Sequence, residues 1–275
     1  PLNPEQLSAL RRELARQSLI GFVYATRPDY LMGWVHQEIC AELDAFLAAV
    51  AAGQSPRLML CMPPRHGKSE LASRLFPAYA FGRYPDMSII GTSYSADLSS
   101  RFNRDIQRII EQPEYRAAFP HTTLSAKNIR MVDSGSYLRN SDLFEIVGHK
   151  GSYRSAGVGG GITGMGGDIL IIDDPFKDRA EADSPTIRRK VWDWYTSTLY
   201  TRLAPGGGIL LINTRWHMDD LSGRLLEAER RGEGDAWRMV NFPAIATEDE
   251  RHRRAGEALH PERYPLEQLH AVRRT

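Results

Sequence analysis

Apolar positions along the chain follow two periods. Leu7, Leu10, Leu14 and Leu19 recur among charged residues at helical spacing, which predicts one amphipathic helix from Leu7 to Phe22, ended before Pro28. A second helix is predicted from Trp34 to Val50, where Ile39, Leu43, Phe46, Leu47 and Val50 share a face and Gly53, Ser55 and Pro56 follow. The pattern then changes to short continuous apolar runs, the mark of strands buried on both faces: Arg57 to Met62, Met87 to Thr92, Asp168 to Asp173, Ile209 to Asn213, and Trp237 to Phe242. Helical patterns separate them, at Glu70 to Phe81, Ala96 to Glu111, Ser184 to Arg202 and Asp219 to Arg231, with a short one from Pro265. Three brief antiparallel strands are predicted at 129–132, 137–140 and 143–147, a flexible glycine-rich loop from Gly148 to Gly167, and a turn at Pro205 to Gly208. Strands alternating with helices predict an α/β fold with a mostly parallel sheet covered on both faces. Ligands in such sheets sit at the carboxyl ends of the strands.

Three polar clusters fall at those ends. The first is Cys61-Met62-Pro63-Pro64-Arg65-His66-Gly67-Lys68-Ser69, between a strand and a helix. Gly-Lys-Ser is frequent by chance, but in that setting it predicts a phosphate-binding P-loop, in which backbone N–H groups would surround the phosphates, Lys68 would reach the β- and γ-phosphates, and Ser69 would hold Mg²⁺. Met62 stands where the usual pattern begins with glycine. The second cluster is Asp173-Asp174 at a strand end, either a helix-capping loop or, paired with a P-loop upstream, one carboxylate beside the metal and the next where it would orient or deprotonate water. Asn213-Thr214-Arg215 is the third; its Asn and Thr either sense the γ-phosphate or cap the strand. Asp219-Asp220 reads as a helix cap. Arg154, inside the glycine run, is a candidate mobile arginine finger, with Arg65 as its rival. His36-Gln37 either read adenine edges or lie on an exposed helix turn.

Composition adds bounds. The 275 residues carry 35 Lys and Arg against 34 Asp and Glu, a net charge of +1, so any nucleic-acid contact comes from a local patch. Two cysteines, Cys40 and Cys61, give neither a disulfide framework nor metal-ligand spacing. No apolar run approaches the roughly 20 residues of a membrane helix. The chain opens Pro1-Leu2-Asn3-Pro4, without initiating Met or signal-peptide core, as a trimmed or processed start would.

Taken together, the motifs resemble the large terminase subunit of tailed bacteriophages, the DNA-packaging motor ATPase. Pro63 to Ser69 resembles that family's variant P-loop, which lacks the first glycine and carries an arginine. Ile171 to Asp178 resembles its metal-binding strand, and Asn213 to His217 with Asp219-Asp220-Leu221 its coupling motif. Gly91 to Ser95 and the glycine run also fit, so that the likeness extends from about Trp34 to the C-terminus. The resemblance implies a P-loop NTPase fold of the additional-strand class and an ATP- and Mg²⁺-dependent ATPase. It implies a helical subregion on the lid and adenine side (1–55), an ATPase core (56–243) and a linker (244–275) toward a nuclease domain. It also implies double-stranded DNA, a portal and procapsid, a small terminase subunit and a homo-oligomeric ring, typically a pentamer, as partners in the host cytoplasm. Pro64, Arg65, His66, Gly67, Lys68, Ser69 and Gln37 become the expected nucleotide contacts. Ser69 and Asp173 become metal ligands, Asp174 with Arg65 in cis or Arg154 from a neighbouring subunit the catalytic groups, and Asn213, Thr214 and Arg215 coupling residues. Many members carry Glu where this chain has Asp174, which leaves Asp178 and Glu181 as rival carboxylates. A helicase-like motor and a non-hydrolysing P-loop DNA-binding module are the alternative readings.

Overall fold

The structure is a computed structural model that describes residues 3–127, 136–162 and 164–274. Its helices and strands follow in the order α1 (Pro4–Gln17), α2 (Leu19–Thr26), α3 (Trp34–Ala51), β1 (Arg57–Cys61), α4 (Lys68–Glu70), α5 (Phe76–Arg83), β2 (Ser88–Ser93), α6 (Ala96–Ile110), α7 (Pro113–Ala118), β3 (Leu143–Glu145), β4 (Ser152–Gly157), β5 (Gly167–Asp173), α8 (Arg179–Asp183), α9 (Pro185–Trp194), β6 (Leu203–Asn213), α10 (Leu221–Arg230), β7 (Arg238–Asn241) and α11 (Leu266–Arg274). The strands form one sheet in the order β3-β4-β2-β5-β6-β1-β7. Every neighbouring pair is parallel except β3 and β4. β6 is inserted between β1, which feeds the Gly-Lys-Ser loop, and β5, which ends in Asp173. This is the additional-strand arrangement of a P-loop α/β fold.

Strand periodicity divides the core in two. Leu58, Leu60, Ile169, Ile171, Leu210 and Ile212 point to the face covered by α2, α3, α5 and α6. Met59, Cys61, Leu170, Ile172, Ile209 and Leu211 point to the face covered by α9 and α10. Such two-sided burial explains why these strands read as continuous apolar runs.

Several expectations need correction. The predicted helix over 7–22 is two helices, α1 and α2. Ser18 breaks it by accepting the Gly21 N–H at 3.2 Å, while Asp44 of α3 accepts the Leu19 N–H at 3.0 Å. Leu7, Leu10 and Leu14 are therefore exposed and only Leu19 is buried. The glycine run is not a loop throughout: 152–157 is strand β4, parallel to β2. Tyr153 fixes it, stacking on Phe144 at 5.5 Å and lying over Gly91, where a Cβ would sit 1.9 Å from the Tyr153 hydroxyl. Residues 205–208 belong to β6 rather than to a turn, opposite a register irregularity between Gly167 and Ile169. The predicted strand at 129–132 lies outside the described residues, and 137–140 contributes only a bridge from Arg139 to Phe144. Residues 244–274, expected as a linker, are in contact with the core. They pack back on the core, with Leu259 fully buried, an Ile245–Ala258 bridge, and His252 stacked on Trp34 at 4.7 Å.

Candidate functional site

The loop leaving β1 turns back through two left-handed residues, Arg65 (φ 62°) and Gly67 (φ 94°). Gly67 is required twice over, since a Cβ there would meet the Tyr30 hydroxyl at 2.5 Å and His36 Nε2 at 3.1 Å. The chain then enters α4 and continues through a π turn over Leu71–Leu75 into α5. The helix N-terminus and the loop amides face a cleft of about 900 Å³ whose walls include Pro28, Tyr30, Arg65, Lys68, Arg263 and Tyr264.

Lys68 is buried, and its Nζ lies 2.8 Å from Asp174 Oδ2 and donates to Thr214 Oγ1 at 2.8 Å. Asp174 is itself left-handed (φ 45°). Its N–H donates to Ile212 O at 2.8 Å, and its Oδ1 accepts the Thr214 N–H at 2.6 Å. One cation thus ties together the ends of β1, β5 and β6. Asp173 is 1% exposed, and both of its oxygens are satisfied by hydroxyls, Ser69 Oγ at 3.0 Å and Ser73 Oγ at 2.5 Å. Burial and then the neighbouring Asp174 push its carboxyl up to about 6, against the pull of Ser73, Lys68 and Ser69. Ser69 Oγ and the Asp173 carboxylate are hard oxygen donors side by side at a helix N-terminus. That set suits Mg²⁺, which takes one or two protein oxygens and completes its shell with phosphate and water.

Asn213 accepts from Cys61 Sγ at 3.2 Å and donates Nδ2–H to Ser222 Oγ at 2.8 Å, linking β1 to α10. Arg215 points into its own loop and donates to the buried Asp220 at 2.7 Å. Asp220 in turn caps α10 by accepting the Gly223 N–H at 2.9 Å, as its position predicted. Asp178 and Glu181, the rival carboxylates, are engaged in starting α8: Asp178 accepts the Glu181 N–H at 3.0 Å and Glu181 accepts the Lys177 N–H at 2.9 Å.

Two expected residues fall away from this cluster. Gln37 is exposed and does not line the cleft, because the residue that α3 turns inward is His36. Arg154 is not on a mobile segment. It is the third residue of β4, half-buried, in register with Ile90 and Leu143. Two strand positions, roughly 10 Å, separate β4 from β5. Arg65 by contrast is exposed at the cleft. Three contributors were not singled out from the sequence. Ser73 lies one helical turn beyond Ser69, a spacing that signals a shared face. Arg263 and Tyr264 come from a charged, irregular segment with no such signal, yet the Tyr264 ring lies 4.6 Å from that of His66.

A family model described as the terminase large subunit, T4-like virus type, N-terminal, matches residues 59–275. Similar solved structures include the large terminase of bacteriophage HK97 (12% identity, TM-score 0.47, 76% of this chain and 40% of that one). A mutant ATPase domain of the Thermus phage P74-26 large terminase gives 17% identity and TM-score 0.46, over 83% of this chain and 86% of that one. The large terminase of a thermophilic bacteriophage gives 10% identity and TM-score 0.39, over 70% of this chain and 41% of that one. The chain thus spans well under half the length of the HK97 protein. No curated protein sequence matches it.

Proposed function

This chain belongs to the terminase large subunit family of T4-like type, and from that membership we propose that it binds ATP with Mg²⁺ and hydrolyses it to move double-stranded viral DNA into a procapsid. The observation that carries the reading is the convergence of Lys68, Ser69, Asp173, Asp174 and Thr214 at the carboxyl ends of three adjacent strands. Phosphates lie against the backbone N–H groups of Arg65 to Ser69 and the first turn of α4, where the helix dipole and Lys68 neutralise their charge. Ser69 and Asp173 would hold Mg²⁺, which would supply positive charge against the charge developing on the phosphates. Ser73 keeps the second Asp173 oxygen in place. Asp174 aligns the attacking water and accepts its proton. Arg65, exposed at the cleft and free to swing over the γ-phosphate, stabilises the transferring group within its own subunit. Thr214 touches both Lys68 and Asp174, so a change at the phosphate reaches Asn213, Ser222 and α10 and from there the surface that grips DNA.

The partners of this reading are double-stranded DNA, a portal on the procapsid, a small terminase subunit and further copies of the chain in a ring, in the host cytoplasm. No described helix is long and apolar enough to cross a membrane. The test is the ATPase rate with and without double-stranded DNA, for the protein and for Lys68→Ala. Turnover abolished by Lys68→Ala is expected; equal rates in the two proteins would overturn the reading.

A further inference from the structure

We propose that His36 is a positioning residue for the phosphate cradle: it holds the His66–Gly67 peptide so that the Gly67 N–H faces the ligand. The proposal rests on the nucleotide-binding reading above. His36 is the third residue of α3 and is 2% exposed. Its Nδ1 accepts the Gly33 N–H at 2.9 Å, the place a Gln or Glu takes in a capping box. A ring nitrogen that accepts carries no proton, so the neutral ring bears its hydrogen on Nε2. That nitrogen lies 2.9 Å from the carbonyl oxygen of His66, which can only accept. The tautomer is therefore fixed by the helix cap, and the cap aims a donor at the loop.

The consequence follows from peptide geometry. No peptide bond in the described chain is cis, and in a planar trans unit the C=O and the next N–H point in opposite directions. Pinning the His66 carbonyl toward α3 thus turns the Gly67 N–H away from α3, toward the concave side of the loop. Lys68 and Ser69 follow there on the first turn of α4. The left-handed φ of Gly67 is the backbone state that this orientation demands, and Tyr30 and His36 crowd the space where a Cβ would sit. His36 thus acts on the phosphate through the backbone.

The experiment is calorimetric titration of the protein, His36→Phe and His36→Gln with ATP, ADP and AMP. Phe keeps the ring volume and loses both hydrogen bonds. Gln retains an acceptor for the Gly33 N–H and a donor for the His66 oxygen. His36→Phe is expected to weaken ATP and ADP about tenfold or more and AMP less than twofold, because the Gly67 N–H serves the β-phosphate; His36→Gln should recover most of the loss. A uniform loss across the three nucleotides, or none, would overturn the proposal. A wild-type measurement covers failure of either variant to fold: the Gly67 amide proton resonance should move downfield on ADP titration, and a resonance that stays in place refutes the assignment. Lys68→Ala separates this from the underlying reading, since ATP binding lost in Lys68→Ala but unchanged in His36→Phe refutes only the role of His36.

Discussion

Asp173 shows how a buried carboxylate is made usable. It is surrounded by apolar strand, so its charge is costly, and two serine hydroxyls one helical turn apart offset part of that cost. Ser73→Ala would leave one carboxylate oxygen buried with no donor. The expected loss is about 1–3 kcal/mol of stability, read from urea unfolding, with a raised Mg²⁺ requirement for turnover. His36 behaves in the opposite electrostatic sense. Burial, opposed only in part by the His66 carbonyl and reinforced by the neighbouring His260, His66 and Arg263, pushes its pKa down to about 4. The folded state therefore binds fewer protons at His36 than the unfolded chain does. Its contribution to stability is present above about pH 6.5 and is lost as pH falls toward about 4, up to roughly 3 kcal/mol. His36→Gln should flatten that part of the stability-versus-pH curve in equilibrium unfolding; an unchanged slope would rule this out. Lys68, Ser69, Asp173 and Asp174 were legible in the sequence because each follows a strand with a recognisable motif. Ser73 and His36 were less so, because their importance lies in what they touch across the fold.

At the scale of elements, the apolar runs identified β1, β2, β5 and β6 because burial on both faces leaves a continuous signal. β4 was missed because its glycine-rich flanks masked a six-residue stretch held by Tyr153 on Phe144. A strand at 152–157 gives Arg154 a fixed place rather than a mobile one. Arg65→Ala is expected to lower the ATPase rate by roughly 10³-fold or more, the lower end of the range that arginine fingers supply, whereas Arg154→Ala is expected to leave it within a few-fold. Steady-state ATPase assays of both variants decide between them, and the reverse ranking would return the role to β4. The split between α1 and α2 was hidden for a different reason. Leu7, Leu10 and Leu14 have helical spacing but are exposed, and the local signal that stops the helix, Ser18, is completed only by Asp44 from another helix.

At the scale of the whole molecule, the order β5-β6-β1 brings three sequence-distant clusters together, and the alternation of strand and helix made that foreseeable. The return of residues 244–274 was not foreseeable, since a charged, irregular stretch carries no period. Its anchor is Leu259, fully buried in the same core as α3 and α5. Leu259→Ala is expected to cost about 2–5 kcal/mol, measured by chemical denaturation. A loss of only a few tenths would mean that the segment is not part of the cooperative unit. Tyr264 should then come away from His66, so nucleotide affinity and the docking of the C-terminal segment are expected to fall together.

The bond between Lys68 and Asp174 makes nucleotide entry an exchange rather than an addition. Asp174 already occupies the cation that the phosphates need, as an internal competitor covalently tied to the sheet. Affinity is then a difference between two ion pairs, one of them built into the chain. Asp174→Asn should bind ATP more tightly, by about tenfold or ~1.4 kcal/mol, while hydrolysing it more slowly. The carboxylate proposed to activate water would thus also be what keeps the ligand from staying.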